Sequence, residues 1–99
     1  MRIYRTDEYE DWIHDVRDPM AAARIEHQWE RCLQAGRPVG DWKSEGDGLF
    51  AMRFNFGPGY RVYFSWDGHK LLLLLCGGDK TGQEKDIKRA KKLMKEETS

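Results

Sequence analysis

The sequence predicts an α+β domain in which an N-terminal helical hairpin packs on a small, mainly antiparallel sheet of four or five strands, with a helix at the C-terminal end. Three observations carry that expectation. Residues 57–80 read GPGYRVYFSWDGHKLLLLLCGGDK, two β-prone runs joined through Asp67-Gly68, the dipeptide of a tight hairpin. The second run, residues 71–76, is apolar throughout, which suits a strand buried on both sides and is too short for a helix. Upstream, Tyr9, Trp12, Ile13 and Val16 recur at helical spacing, as do Ala22, Ile25, Trp29, Cys32 and Leu33, so a helical hairpin is available to cover one side of the sheet.

Length and composition agree. The 99 residues, 39% apolar and 34% charged, make a single globular domain over 1–99 with a modest core. No apolar run reaches the length of a membrane span, and MRIYRTDEYE lacks the apolar centre of a signal peptide. Cys32 and Cys76 stand apart from any His or second Cys at ligand spacing, so they read as reduced core thiols of a cytoplasmic protein, with no metal and no cofactor. The net charge of zero is unevenly spread: residues 1–36 hold 5 basic and 8 acidic side chains (net −3), residues 37–78 hold 5 and 4 (net +1), and residues 79–99 hold 7 and 5 (net +2). A neutral total argues against sequence-specific binding of duplex DNA by this chain alone.

In order, residues 2–5 form a short strand with Ile3 inward. Thr6 caps a first helix whose opening turn carries Asp7 and Glu8. Asp18-Pro19 breaks that helix and starts another, Asp18 as cap and Pro19 as first residue, which ends near Gly36. Residues 36–47 are mostly loop, with 41–44 as a short edge strand. Residues 49–56 alternate, placing Met52, Phe54 and Phe56 on one face and Ala51, Arg53 and Asn55 on the other. In the following strand Tyr60, Val62, Phe64 and Trp66 oppose Arg61, Tyr63 and Ser65. Thr81 with Glu84 reads as a capping box for a last helix with Ile87, Ala90, Leu93 and Met94 inward.

If the turn at Gly57–Gly59 makes neighbours of the two strands, Arg53, Arg61 and Tyr63 emerge on a common polar surface. Two guanidinium groups without a convergent carboxylate pair suit a phosphodiester. Cleavage of RNA by its own 2′-hydroxyl needs neither a protein nucleophile nor a metal; it needs in-line geometry, charge compensation at phosphorus and proton transfer. Arg53 and Arg61 are candidates for the charge, and Tyr63, Lys43 or Lys80 for the proton, provided their ordinary pKa values are lowered. His14 and His27 are expected on helices away from these arginines, and His69 beyond the Asp67-Gly68 turn. No histidine general base is evident. The plain alternative is a solvated sheet face paired with Asp41, Glu45 or Asp47.

The segments GDWK (40–43), MRFNFGPGYRVYF (52–64) and LLLLCGGDKTGQEKDI (72–87), followed by Ala90, resemble toxins of the RelE/ParE superfamily, in particular the HigB-like, phage-derived addiction module killer group. The resemblance covers nearly the whole chain. It implies the RelE-like order of strand, two helices, antiparallel sheet and closing helix. It also implies a ribosome-dependent mRNA endoribonuclease of a type II toxin–antitoxin system, held inactive by a small helix-turn-helix antitoxin. It implies that Arg61 contacts the scissile phosphate, that Arg53 is a second phosphate or RNA contact, and that Lys43 and Lys80 bind RNA or stabilise charge, with Tyr63 carrying over more weakly. Ala51-Met52-Arg53 stands where the group commonly reads Glu-Leu-Arg. Two other functions fit the same resemblance: inhibition of DNA gyrase, as in ParE-type relatives, and a non-catalytic role as the antitoxin's co-repressor.

Overall fold

The computed structural model describes residues 1–98. In chain order they form β1 (Arg2–Arg5), α1 (Asp7–Asp15), α2 (Pro19–Ala35), β2 (Trp42–Gly46), β3 (Leu49–Phe54), β4 (Tyr60–Trp66), β5 (Leu71–Asp79), a 3-10 turn (Lys80–Gly82) and α3 (Gln83–Thr98). The strands make one sheet in the order β1-β5-β4-β3-β2. Every pairing is antiparallel except β1 with β5, which is parallel.

The helix ends follow the local chemistry of the sequence. Thr6 Oγ1 accepts from the Tyr9 amide at 3.1 Å and donates to the Leu75 carbonyl at 2.6 Å, so the cap also ties α1 to β5. Asp18 accepts from the Met20 amide at 3.0 Å with Pro19 opening α2. Gly36 ends α2 in the left-handed conformation (φ 73°), its amide donating to the Cys32 carbonyl at 2.9 Å.

Both faces of the sheet are covered, where the sequence asked for cover on one. Met52, Phe54, Val62, Phe64, Leu72 and Leu74 pack against Tyr9, Ile13, Ile25 and Trp29 of the helical hairpin. On the opposite face, Leu49, Ala51, Tyr63, Leu73 and Leu75 pack under Ala90 and Leu93 of α3. This second layer explains why β5 lacks a polar side: residues 72–76 are buried against helices above and below.

Three local expectations change. The tight Asp-Gly hairpin is not at Asp67-Gly68, where a four-residue connection separates β4 from β5 and Asp67 Oδ1 accepts from the amides of His69, Lys70 and Leu71. It lies at Asp47-Gly48, with φ values of 59° and 83°, the two positive angles of a type I′ turn between β2 and β3. The strand predicted over 49–56 ends at Phe54, before the turn at Gly57–Gly59. The capping box at Thr81 and Glu84 does not form. Asp79 accepts from the Thr81 amide at 2.9 Å and from its hydroxyl at 2.6 Å, which spends the Thr81 side chain and inserts a 3-10 turn before α3.

A polar network fastens β1, α1 and α2. Glu26 accepts from Arg5 at 2.6 and 2.8 Å and from the Tyr9 hydroxyl at 2.8 Å, and Trp29 Nε1 donates to Tyr9 at 3.0 Å. Arg5 also bonds Glu10. Glu26 is thereby drawn inward, which leaves the outward side of α2 more basic than its residue count suggests.

Candidate functional site

Arg53 and Arg61 are direct register partners across β3 and β4, so both guanidinium groups leave the same face of the sheet. Neither is fully covered. Like charges directly opposite each other on adjacent strands destabilise a sheet, and the surroundings relieve this only in part. Arg53 reaches Asp41 Oδ1 through NH2 at 2.6 Å and Nε at 3.2 Å, an exposed pair anchored by the Arg53 amide on the Asp41 carbonyl at 2.8 Å. That contact, with a smaller influence from Asn55 and Arg61, holds the Asp41 carboxyl below the usual carboxylate range. Arg61 meets a neutral partner. With the Gln83 amide oxygen turned toward it, Gln83 accepts from Arg61 Nε at 2.8 Å and NH2 at 3.3 Å. Among the described residues no carboxylate lies within ion-pair distance of Arg61, so the patch retains uncompensated positive charge.

The remaining predicted residues divide. Lys80 is exposed, its stem 3.3–3.5 Å from where a Cβ on Gly59 would stand, so it lies over the turn that leads into Arg61. Lys43 is exposed on the edge strand β2, opposite Ala51, with Nζ 3.9 Å from Glu45. Tyr63 is the correction. It shares the arginines' face but is 0% exposed beneath α3, so it does not emerge on their surface. Burial and the Asp86 and Glu45 carboxylates hold its hydroxyl well above the ordinary tyrosine range, and that hydroxyl has no hydrogen-bond partner. Ala51 is likewise a fully buried position under α3 and not part of the exposed patch. Cys76 is buried with its thiol pushed up to about 12, chiefly by burial, and Cys32 is shifted in the same direction for the same reason.

Two features escaped the sequence. Asp86 on α3 packs against Gly78, the register partner of Arg61: a Cβ on Gly78 would lie 1.9 Å from Asp86 Oδ2. Burial raises the Asp86 carboxyl, with Asp79 adding to the rise and Lys85 opposing it. The signal in the sequence is the spacing of Gln83 and Asp86, three residues apart and so on one helix face. The second feature is a groove of about 480 Å³ between α2 and the end of β3, lined by Arg24, His27, Arg31, Arg53, Asn55 and Phe56 among others and by no acidic side chain. Arg24 lies over the Phe56 ring at 3.8 Å. His27, expected away from the sheet arginines, lines the same groove as Arg53, with Nδ1 3.4 Å from Glu30. The helical periodicity of Met20, Arg24, His27 and Arg31 would have found this face.

Fold and site together define a small α+β domain that presents a cross-strand arginine pair beside the start of its last helix. The chain belongs to one family with a protein of Haemophilus influenzae (strain Rd), described as an uncharacterized protein, to which it is 43% identical over 96 residues covering 97% of this chain and 95% of that one. No family model matches the chain, and no solved structure matches it. Among the described residues, no helix is long and apolar enough to cross a membrane.

Proposed function

We propose that this chain is the toxin of a type II toxin–antitoxin pair, a RelE/HigB-like endoribonuclease that cleaves mRNA on the ribosome and is held inactive by a helix-turn-helix antitoxin. The observation that carries the reading is the register pairing of Arg53 with Arg61. Two like charges held side by side, one on a neutral amide and one on an exposed carboxylate, lower stability and gain from an anionic ligand. A phosphodiester seated there would be gripped by Arg61, which has no carboxylate partner to compete, while Arg53 compensates charge on the neighbouring phosphate. Lys80 and Lys43 extend the positive surface on either side, and the groove through Arg24 and Arg31 offers the strand a continuation past Arg53. The reaction needs charge compensation for a transition state whose nucleophile the RNA itself supplies. The resemblance over residues 40–43, 52–64 and 72–87 supports the same reading and the RelE-like fold.

Inducible expression with mapping of RNA 5′ ends tests it. Expression arrests growth and cuts transcripts only while they are being translated, and Arg61→Ala restores growth without loss of folding by circular dichroism. A fully toxic Arg61→Ala variant, or arrest with intact transcripts, overturns the reading. Arrest with intact transcripts and loss of gyrase supercoiling in vitro would identify a protein target instead.

A further inference from the structure

The patch around Arg61 lacks a histidine to move protons, and the groups beneath it supply an alternative. Asp86 Oδ2 occupies the space that a side chain on Gly78 would fill, and Gly78 lies directly across the sheet from Arg61. A glycine at this register position therefore lets a carboxylate from α3 come down onto the sheet beside the phosphate-gripping strand. Gln83, one turn earlier on α3, bonds the Arg61 guanidinium and leaves the Asp86 carboxylate without a cation of its own. Among the described residues it accepts no hydrogen bond and makes no ion pair. Below it, the fully buried Tyr63 hydroxyl is also unpartnered, and Asp86 is the nearest-acting charge on it. Of the two, only the Tyr63 hydroxyl is wholly enclosed, and a buried hydroxyl without a partner is costly. Asp86 is half-buried, so a carboxylate without a protein partner stands open to a ligand at the sheet position beside Arg61.

We infer that Asp86 is the proton acceptor of this site, taking the proton of the ribose 2′-hydroxyl as that oxygen attacks the phosphodiester held by Arg61. The inference rests on the ribonuclease reading above. In the step, the 2′-O–H bond breaks and its proton passes to Asp86, the 2′-oxygen bonds phosphorus, and the bond from phosphorus to the 5′-oxygen breaks. Water protonates the leaving 5′-oxygen, and Asp86 returns its proton to the hydroxide so formed. The products are a 2′,3′-cyclic phosphate and a 5′-hydroxyl. The surroundings of Asp86 favour a basic carboxylate: partial burial disfavours its charged form first, Asp79 from the end of β5 adds to this, Lys85 on α3 opposes it, and Tyr63 and Cys76 stay neutral.

Single-turnover cleavage of mRNA on programmed ribosomes, followed from pH 4.5 to 8, tests the assignment with wild-type protein, Asp86→Asn and Gly78→Ala. Asp86→Asn is expected to slow cleavage by roughly 10²–10⁴-fold, to leave the affinity for a non-cleavable 2′-O-methyl RNA unchanged, and to abolish the acidic limb of the pH profile. That limb in the wild type rises with pH as Asp86 loses its proton. Gly78→Ala, whose methyl group displaces the carboxylate while leaving Arg61 in place, should slow cleavage in the same way. Thermal melting checks that each variant is folded. If Asp86→Asn cleaves within threefold of wild type or keeps the acidic limb, Asp86 is not the acceptor although the ribonuclease reading stands. If the wild type itself does not cleave, the ribonuclease reading fails and this assignment falls with it.

Discussion

The adjacent glycines at the end of β5 are a packing device, and Gly77→Ala measures it. A Cβ on Gly77 would stand 2.3, 2.4 and 2.5 Å from three atoms of the Trp12 indole, closer than any pair of carbon atoms tolerates. Trp12 in turn meets Tyr9 and Tyr60, with ring centroids at 6.0 and 6.2 Å. The methyl group must therefore tilt the indole away, losing two aromatic contacts at about 0.5–1.5 kcal/mol each, or push β5 off its neighbours, which overpacking data put at roughly 1–3 kcal/mol. Either route gives an expected loss of about 1–3 kcal/mol, a drop in Tm of roughly 4–24 °C for a domain of this size. Gly77 does not need a left-handed backbone, so the methyl group costs nothing where the indole is absent. In a Trp12→Ala background, Gly77→Ala should be neutral or stabilising by up to about 1 kcal/mol, because alanine restricts the unfolded chain. Urea denaturation of the four proteins of this double-mutant cycle gives the coupling directly. Equal destabilisation by Gly77→Ala in both backgrounds would refute the argument that Trp12 is why the glycine is there.

Three further outcomes follow from the charges. Asp41→Asn removes the carboxylate that competes for Arg53, and should tighten binding of a single-stranded 2′-O-methyl RNA by up to about fivefold, the worth of an exposed ion pair, as read by fluorescence anisotropy. Because the Asp41 carboxyl is lowered in the folded protein, the pair's contribution to stability is complete above the ordinary carboxylate range and is lost as pH falls through the lowered value; Asp41→Asn should flatten the acid side of the stability profile. Replacing Arg24 and Arg31 together with Gln should weaken the same RNA and reduce the slope of log K against log salt by about 1.4, two contacts' worth for a single strand. An unchanged slope would remove the groove from the RNA path.

Most elements were legible because their determinants are local. Thr6, Asp18 and Gly36 act within one helical turn, and the alternation in β3 and β4 assigned each side chain to its face. What the sequence withheld depends on partners distant along the chain. Nothing in residues 60–66 says that Tyr63 is roofed by α3 while Arg61, two residues earlier, is left at the roof's edge. Both Asp-Gly pairs look alike as dipeptides, yet only at Asp47-Gly48 do the strands close directly on the pair, Gly46 opposite Leu49, whereas Asp67 turns its carboxylate back onto three amides. The capping signal of Thr81 lost to a closer competitor, Asp79. Asp86 was invisible for a related reason: its place beside Arg61 is created by the missing side chain of Gly78, and an absence carries no periodicity.

Among the described residues β1 pairs with β5 alone, Arg2 beside Leu71 and Arg5 beside Leu74. During synthesis at roughly 5–20 residues per second, β1 leaves the ribosome several seconds before the strand that pairs with it. The helical hairpin is also made before the strands it packs on. A molecule interrupted before position 71 consequently lacks the strand that joins β1 to the rest of the sheet.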